Sequence, residues 1–252
     1  MAKNNESFGV AAEVAIAKTF SVKINPAYAM RAEETIVGLL LKDNSIYKIF
    51  SKENIPFPAK HIAEKQNPVD FILSDGSTLS VKSNQGKLGK VAPQNIGQPT
   101  SETYFSYLEN YFDDFILTDY LRKRNLDNTY ANRALAFKQI SIEHTAGVVN
   151  MYWRNLFECD YYIHFYNLNT YANPLDNYLF LKKEQPPIWD GSKFTFTQSL
   201  SSWNESNTLK YCGISIGEFQ VHRNRNCFKF RFNVDGIVKP VSYTHLRAHE
   251  TC

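Results

Sequence analysis

The hydrophobic period of the chain changes at Val69, and this change limits the possible folds more than any other feature. Upstream, Val10, Val14, Ala17 and the neighbouring alanines recur at helical spacing from Phe8 to Phe20, with Ser7 as the expected N-cap. Ile36, Leu39, Leu40 and Ile46 predict a second helix from about Glu33 to Phe50, ended by Pro56 and Pro58. From Val69 the period is two. Val69, Phe71 and Leu73 alternate with Asp70, Ile72 and Ser74, Asp75-Gly76-Ser77 signals a turn, and Leu79 and Val81 alternate with Ser80 and Lys82. The expected structure is a β-hairpin.

With Val69, Phe71, Leu73, Leu79 and Val81 on the buried face, Asp70, Ser80, Lys82 and Asn84 share the other. That pattern predicts Asp70 opposite Lys82, Ile72 opposite Ser80 and a loop from Asp75 to Ser77. The plain explanation of a facing Asp and Lys is a solvated cross-strand ion pair. Three features favour chemistry instead. Asp70 follows Pro68-Val69 in an apolar strand, Lys82 closes a Ser-Val-Lys step, and a polar loop with Lys87 and Lys90 comes next.

Beyond the Gly-, Gln- and Pro-containing loop from Gln85 to Thr100, helices are expected from about Glu102 to Arg124 and from Tyr130 to Phe157, the latter broken near Gly147. Strands are expected at Tyr161–Leu168, Tyr178–Lys182, Phe194–Thr197, Lys210–His222 and Cys227–Asn233. The fold class is therefore α/β (or α+β), with a mixed central sheet flanked by helices. A chain of 252 residues suffices for one large domain or a domain with a small appendage. A net charge of +3 gives no overall basic field, so any nucleic-acid surface must come from local clustering. There is no secretory signal and no apolar run of membrane-spanning length. Cys159, Cys212, Cys227 and Cys252 form no zinc-type pair, which fits a reduced, intracellular protein.

The stretch Val241 to Thr251, VSYTHLRAHET, resembles one reading frame of a transposase sequencing-library adaptor. Residues 240–252 are accordingly read as an adaptor-derived, non-native tail. His245, His249 and Glu250 are set aside with it, although they mimic a metal-binding helix.

Asn67-Pro-Val-Asp70 followed by Leu79-Ser-Val-Lys82-Ser-Asn84 resembles the PD-(D/E)XK nuclease motif, and the loop Gly89 to Thr100 resembles loops of type II restriction endonucleases. The resemblance implies a restriction-endonuclease-like fold over residues 1–239, as a single endonuclease domain. It also implies a site in which Asp70 and a second acid hold Mg²⁺ while Lys82 positions or activates the attacking water. The family's usual second acid, two residues before the Lys, is Ser80 here. Gly9-Val-Ala-Ala-Glu13 resembles a Gly-x-x-x-Glu step on the first helix of such nucleases, so Glu13 is the foremost substitute, against the plain alternative of an exposed helix carboxylate. Asp75, better explained as a turn residue, and Glu64 are weaker candidates. Asp70, Lys82, Ser80 and Glu13 thus form the expected catalytic set, with Asp70 and Glu13 as metal ligands. The chemistry suits these residue types. A hard cation on carboxylates neutralises developing phosphoryl charge, and Mg²⁺ needs only one or two protein carboxylates.

A second informative stretch runs from Gly217 to Phe232. Phe228, Phe230 and Phe232 alternate with Lys229 and Arg231, and Arg223-Asn-Arg-Asn226 forms a polar hairpin tip. Arg and Asn suit bidentate contacts to guanine and adenine, and a β-ribbon fits the major groove. His222, Arg223, Asn224, Arg225, Lys229 and Arg231 are therefore candidate DNA contacts, together with Lys87, Lys90, Gln94 and Gln98 on the earlier loop. The plain alternative is an ordinary amphipathic hairpin, with His222 structural. Arg122-Lys-Arg124 suits a helix C-terminus, with a phosphate contact as the alternative. Tyr152 and Trp153 read as core.

The leading expectation is a type II restriction endonuclease cutting double-stranded DNA with Mg²⁺. By the same resemblance it would be a homodimer, cytoplasmic in a prokaryote, with a protecting DNA methyltransferase as genetic partner. The alternatives are a structure-specific repair or junction nuclease, and a non-catalytic DNA-binding protein in which Ser80 marks a decayed site.

Overall fold

The computed structural model describes residues 5–63, 67–112, 115–182 and 187–238. Glu64 and the adaptor-like residues 240–252 lie outside them. The helices are α1 (Asn5–Thr19), α2 (Pro26–Ala29), α3 (Glu34–Leu41), α4 (Ser45–Lys52), α5 (Ser101–Tyr111), α6 (Leu117–Arg122), α7 (Tyr130–Glu143) and α8 (Thr145–Leu156). The strands are β1 (Pro58–His61), β2 (Phe71–Leu73), β3 (Thr78–Ser83), β4 (Lys90–Val91), β5 (Tyr161–Phe165), β6 (Tyr178–Lys182), β7 (Phe194–Phe196), β8 (Ser206–Tyr211), β9 (Ile214–His222) and β10 (Cys227–Asn233). The fold class is α/β. The chain divides into two compact units, Met1–Gly89 with Phe157–Gln185 and Lys90–Leu156 with Pro186–Cys252.

The first unit holds a mixed sheet in the order β1-β2-β3-β5-β6, in which only β3 and β5 run parallel. Helix α1 is apolar around most of its circumference, so it sits inside the core. Phe8, Val10, Ala11, Val14 and Ile16 pack with Phe71, Leu79, Val81 and Ile163. The expected second helix is two. Asp43 (φ 54°) and Asn44 (φ 57°) are left-handed, a conformation these residues tolerate, and it separates α3 from α4. Strand β1, which the prolines conceal in the sequence, pairs with β2.

The hairpin forms, but its register differs from the expected one. Phe71 pairs with Leu79 and Ile72 with Thr78. The Leu73 amide donates to Ser77 O (2.8 Å), so the loop is Ser74 to Gly76. The cause is the turn chemistry. Asp75 Oδ1 accepts from the Ser77 amide (2.9 Å) and Gly76 takes φ +86°, which closes the turn one residue earlier on each side. An even shift preserves the faces. The pairing ends at Phe71–Leu79, so Lys82 is not directly opposite Asp70, whose amide bonds Leu79 O (2.9 Å).

The second unit holds an antiparallel sheet in the order β4-β10-β9-β8-β7, so the strands after β6 join β4 in a sheet of their own. The predicted strand Lys210–His222 is instead a hairpin. Cys212 (φ 49°) and Gly213 (φ 80°) supply the two left-handed residues of a tight turn between β8 and β9. Phe228 stacks on Phe137 and Phe230 on Tyr152, with ring centroids 4.5 and 4.2 Å apart. Tyr152 and Trp153 are core, as expected. The helical break falls at His144 rather than Gly147. Gly147 lies inside α8, where a Cβ would meet the Phe112 ring at 2.7 Å.

Candidate active site

Asp70 stands at the start of β2, where its backbone still pairs with β3 through its amide to Leu79 O (2.9 Å). Its Oδ2 accepts from the Val81 amide at 2.5 Å and from Ser80 Oγ at 3.4 Å. Lys82 Nζ lies 3.6 Å from the same oxygen. The Asp70 side chain is 8 % exposed and that of Lys82 20 %, so this is not a solvated surface pair. A charge this enclosed needs partners, and Asp70 has an ammonium and two hydrogen-bond donors.

The parallel β3–β5 register extends the polar face. Ser80 pairs with Tyr162 and Lys82 with His164. Tyr162 Oη lies 3.1 Å from His164 Nδ1, both side chains are buried, and His164 Nε2 has no hydrogen-bond partner among the described residues. Burial, reinforced by the Lys82 charge, lowers the His164 imidazole to about 3, so it is neutral at working pH. Cys159 is buried beside the same groups. Burial, opposed by the Lys82 charge, pushes its thiol up to about 11.

Glu13 approaches from the helix face of the sheet. It is 5 % exposed, which removes the plain alternative of a solvent-facing carboxylate. Tyr28 Oη donates to both its oxygens (3.1 and 2.9 Å), and His61 Nε2 lies 2.8 Å from Oε2. Burial raises the Glu13 carboxyl above the ordinary range. The His61 and Tyr28 hydrogen bonds oppose this, and the charge of Asp70 adds to it. The two carboxylates are thus close enough to repel. No group of three or more His, Cys, Asp or Glu that could hold a metal exists among the described residues. Two mutually repelling, buried carboxylates nevertheless fit a hard divalent cation, which takes one or two protein carboxylates and keeps its waters.

The loop after β3 is pinned. The Asn84 amide donates to Phe165 O (2.9 Å), its side chain reaches Leu88 O, and the amides of Asn167 and Asn169 donate to Gly86 O and Gln85 O. Lys87 projects from it, exposed. Asp75 is a turn residue, 2.9 Å from the Ser77 amide.

In the second unit, Arg223, Asn224 and Arg225 form the exposed tip between β9 and β10 and make no side-chain hydrogen bond or ion pair with the described residues. The tip is anchored by a network absent from the sequence reading. Asn226 bonds Ser101 and Glu102, and the buried Arg133 bonds both Ser101 (2.8 Å) and Glu102 (2.5 Å). Lys90 and Arg231 are engaged, at 3.0 and 2.7 Å from Glu218 Oε2. His222 bonds Gln220 (3.1 Å). Burial and then the Lys229 charge lower the His222 imidazole, and burial and then the Arg231 charge lower the Lys229 amine. Gln94 and Gln98 are exposed. Arg122 pairs with Asp119 (2.9 Å) and Arg124 lies over the Tyr120 ring (3.8 Å), which accounts for that basic run locally.

Sequence reasoning missed Tyr28, His61, Tyr162 and His164. The alternation in Tyr161-Tyr-Ile-His-Phe165 places Tyr162 and His164 on one strand face, but only the parallel pairing with β3 brings them to Lys82.

No protein-family model matches the chain, and no solved structure matches it. Over 172 residues, 67% of its length, it is 28% identical to the type II restriction enzyme CviAII of Paramecium bursaria Chlorella virus 1. The chain spans 43% of that enzyme's length. No helix of the described residues is long and apolar enough to cross a membrane.

Proposed function

We propose that the chain is a type II, sequence-specific endodeoxyribonuclease of the PD-(D/E)XK kind, hydrolysing phosphodiester bonds of double-stranded DNA with Mg²⁺. The observation that carries this reading is the enclosed Asp70–Lys82 pair on a mixed sheet, with the buried Glu13 carboxyl raised by burial and further by the charge of Asp70. Similarity to a type II restriction enzyme supports it.

Asp70 and Glu13 would hold the ion, which when bound supplies charge neutralisation at the phosphate and a more acidic water. Lys82 orients the attacking water or stabilises the pentavalent transition state, and the enclosure strengthens its field. Ser80 donates to Asp70 and stands where the family's second acid would be, so Glu13 replaces that acid from α1. Residues 1–239 act as one endonuclease domain. Arg223, Asn224, Arg225 and Lys229 contact DNA. Lys87, Gln94 and Gln98 are open to do so, and Lys90, His222 and Arg231 shape the ribbon through their bonds to Glu218 and Gln220. Burial lowers Lys229 and His222, and the charges of neighbouring cations add to it; a polyanion would neutralise those charges. Cutting two strands calls for a homodimer, and the host needs a DNA methyltransferase for protection.

The test is cleavage of a mixed-sequence plasmid with Mg²⁺, with EDTA, and by Lys82→Ala. Discrete Mg²⁺-dependent fragments lost in the variant support the proposal. A smear points to a less specific nuclease, and metal-independent binding without cleavage to a non-catalytic protein.

A further inference from the structure

Among the described residues, Glu13 is the candidate acid whose surroundings exceed what packing alone requires. Its carboxylate accepts a bifurcated bond from the single Tyr28 hydroxyl hydrogen and a second bond from His61. A carboxylate offers about four lone-pair directions, so capacity for a further ligand remains. Each donor is itself held. His61 is 2 % exposed, its ring centroid is 5.1 Å from both Tyr28 and Phe71, and it pairs with Phe71 across β1–β2. Phe71 is the chain neighbour of Asp70, so the position of His61 relative to Asp70 is fixed by one strand pair. Arg31 lies over the Tyr28 ring at 5.0 Å and pairs with Glu6 on α1, the helix that carries Glu13. The cluster thus ties α1, α2 and β1 to the end of β2.

We propose that His61 and Tyr28 are positioning residues that hold the Glu13 carboxylate toward Asp70 and thereby set the affinity for a hard divalent cation. This rests on the reading of Asp70 and Glu13 as the cation site. Two held donors on the Glu13 oxygens fix the carboxylate's orientation, as outer partners of metal ligands do.

The experiment is Mn²⁺ titration of the full chain without DNA, read as loss of the free-ion paramagnetic resonance signal, with melting temperatures for every variant. Tyr28→Phe and His61→Leu each weaken Mn²⁺ by about 10–100-fold. His61→Gln restores an N–H near the lost one and recovers most of the affinity. A folded His61→Leu or Tyr28→Phe variant with native affinity overturns the proposal, as does His61→Gln behaving like His61→Leu. If His61→Leu does not fold, Tyr28→Phe decides. Asp70→Asn separates the levels. If it leaves Mn²⁺ affinity unchanged, the cation-site reading itself fails and takes this proposal with it. If it abolishes binding while the His61 and Tyr28 variants do not change it, only the positioning role falls.

Discussion

Lys82 meets Asp70 just past the Phe71–Leu79 rung of the β2–β3 ladder, with Nζ 3.6 Å from Oδ2, while Ser80 Oγ donates to the same oxygen at 3.4 Å. Both charges are enclosed, so the pair acts in a medium where a fixed charge is strongly felt. Asp70→Asn and Lys82→Met are each expected to lower the cleavage rate by about 10²–10³ or more. Circular dichroism should be native. Rates within tenfold of the parent, in folded variants, would remove both residues from the chemistry.

Ser80 should matter much less. Its hydroxyl is 3.4 Å from Asp70 Oδ2, at the long end of hydrogen bonding, and the Val81 amide at 2.5 Å is the stronger donor to that oxygen. Ser80→Ala should cost about 1 kcal/mol in a denaturant melt and less than about tenfold in rate. A loss as large as that of Lys82→Met would mean that Ser80 touches substrate or ion.

His164 predicts an acid-side loss of stability. Its imidazole is lowered to about 3 by burial and by the Lys82 charge, whereas the unfolded chain titrates near 6.5. Between these values the unfolded state binds the extra proton. The contribution is therefore complete above about 6.5 and is lost as pH falls toward 3. This group alone gives a slope of up to about 1.4 kcal/mol per pH unit. Denaturant melts across pH 4–7 should show a shallower slope in His164→Phe, and an unchanged slope would mean the ring is hydrated.

The basic ribbon predicts two kinds of variant. Arg223 and Arg225 are exposed and unpaired among the described residues, so Arg223→Ala and Arg225→Ala should weaken DNA binding without moving the melting temperature. Each should reduce the salt slope of log K by about 1 if it contacts phosphate, or cost about 1–3 kcal/mol at one base position if it reads sequence. Arg231 is tied to Glu218, whose carboxyl is kept below its ordinary range by the Arg231 and Lys90 bonds despite burial. Arg231→Ala should therefore act first on stability. Fluorescence anisotropy at several salt concentrations separates the two kinds.

The hairpin and its faces were legible because alternation is a local signal that survives any tertiary context. Asp70, Lys82 and Ser80 share one face as Val69, Phe71 and Leu79 predict. The register was not legible, because the Asp75 side chain and the left-handed Gly76 close the turn earlier than apolar counting alone implies. Glu13 could be named from a motif, but its burial could not, since α1 is shielded on faces that helical spacing leaves open. His61 was hidden by Pro56 and Pro58, which read as the end of a helix, although Pro58 is itself the first residue of the edge strand β1. His164 depends on a parallel pairing, which has no signature in adjacent residues.

The parallel β3–β5 pair also bears on how the molecule comes into being. Thr78 donates its amide and hydroxyl to Asp160 Oδ2, both at 2.9 Å, across 82 residues of sequence. Closing so long a loop carries an entropic cost before any contact offsets it, and such pairings form slowly. A ribosome emitting about 5–20 residues per second takes several seconds to pass from Lys82 to His164. During that interval the emerging polypeptide carries Asp70 and Lys82 but not the strand that encloses them. The enclosed Asp70–Lys82 pair, and whatever chemistry it carries, would then be assembled only after β5 has been made.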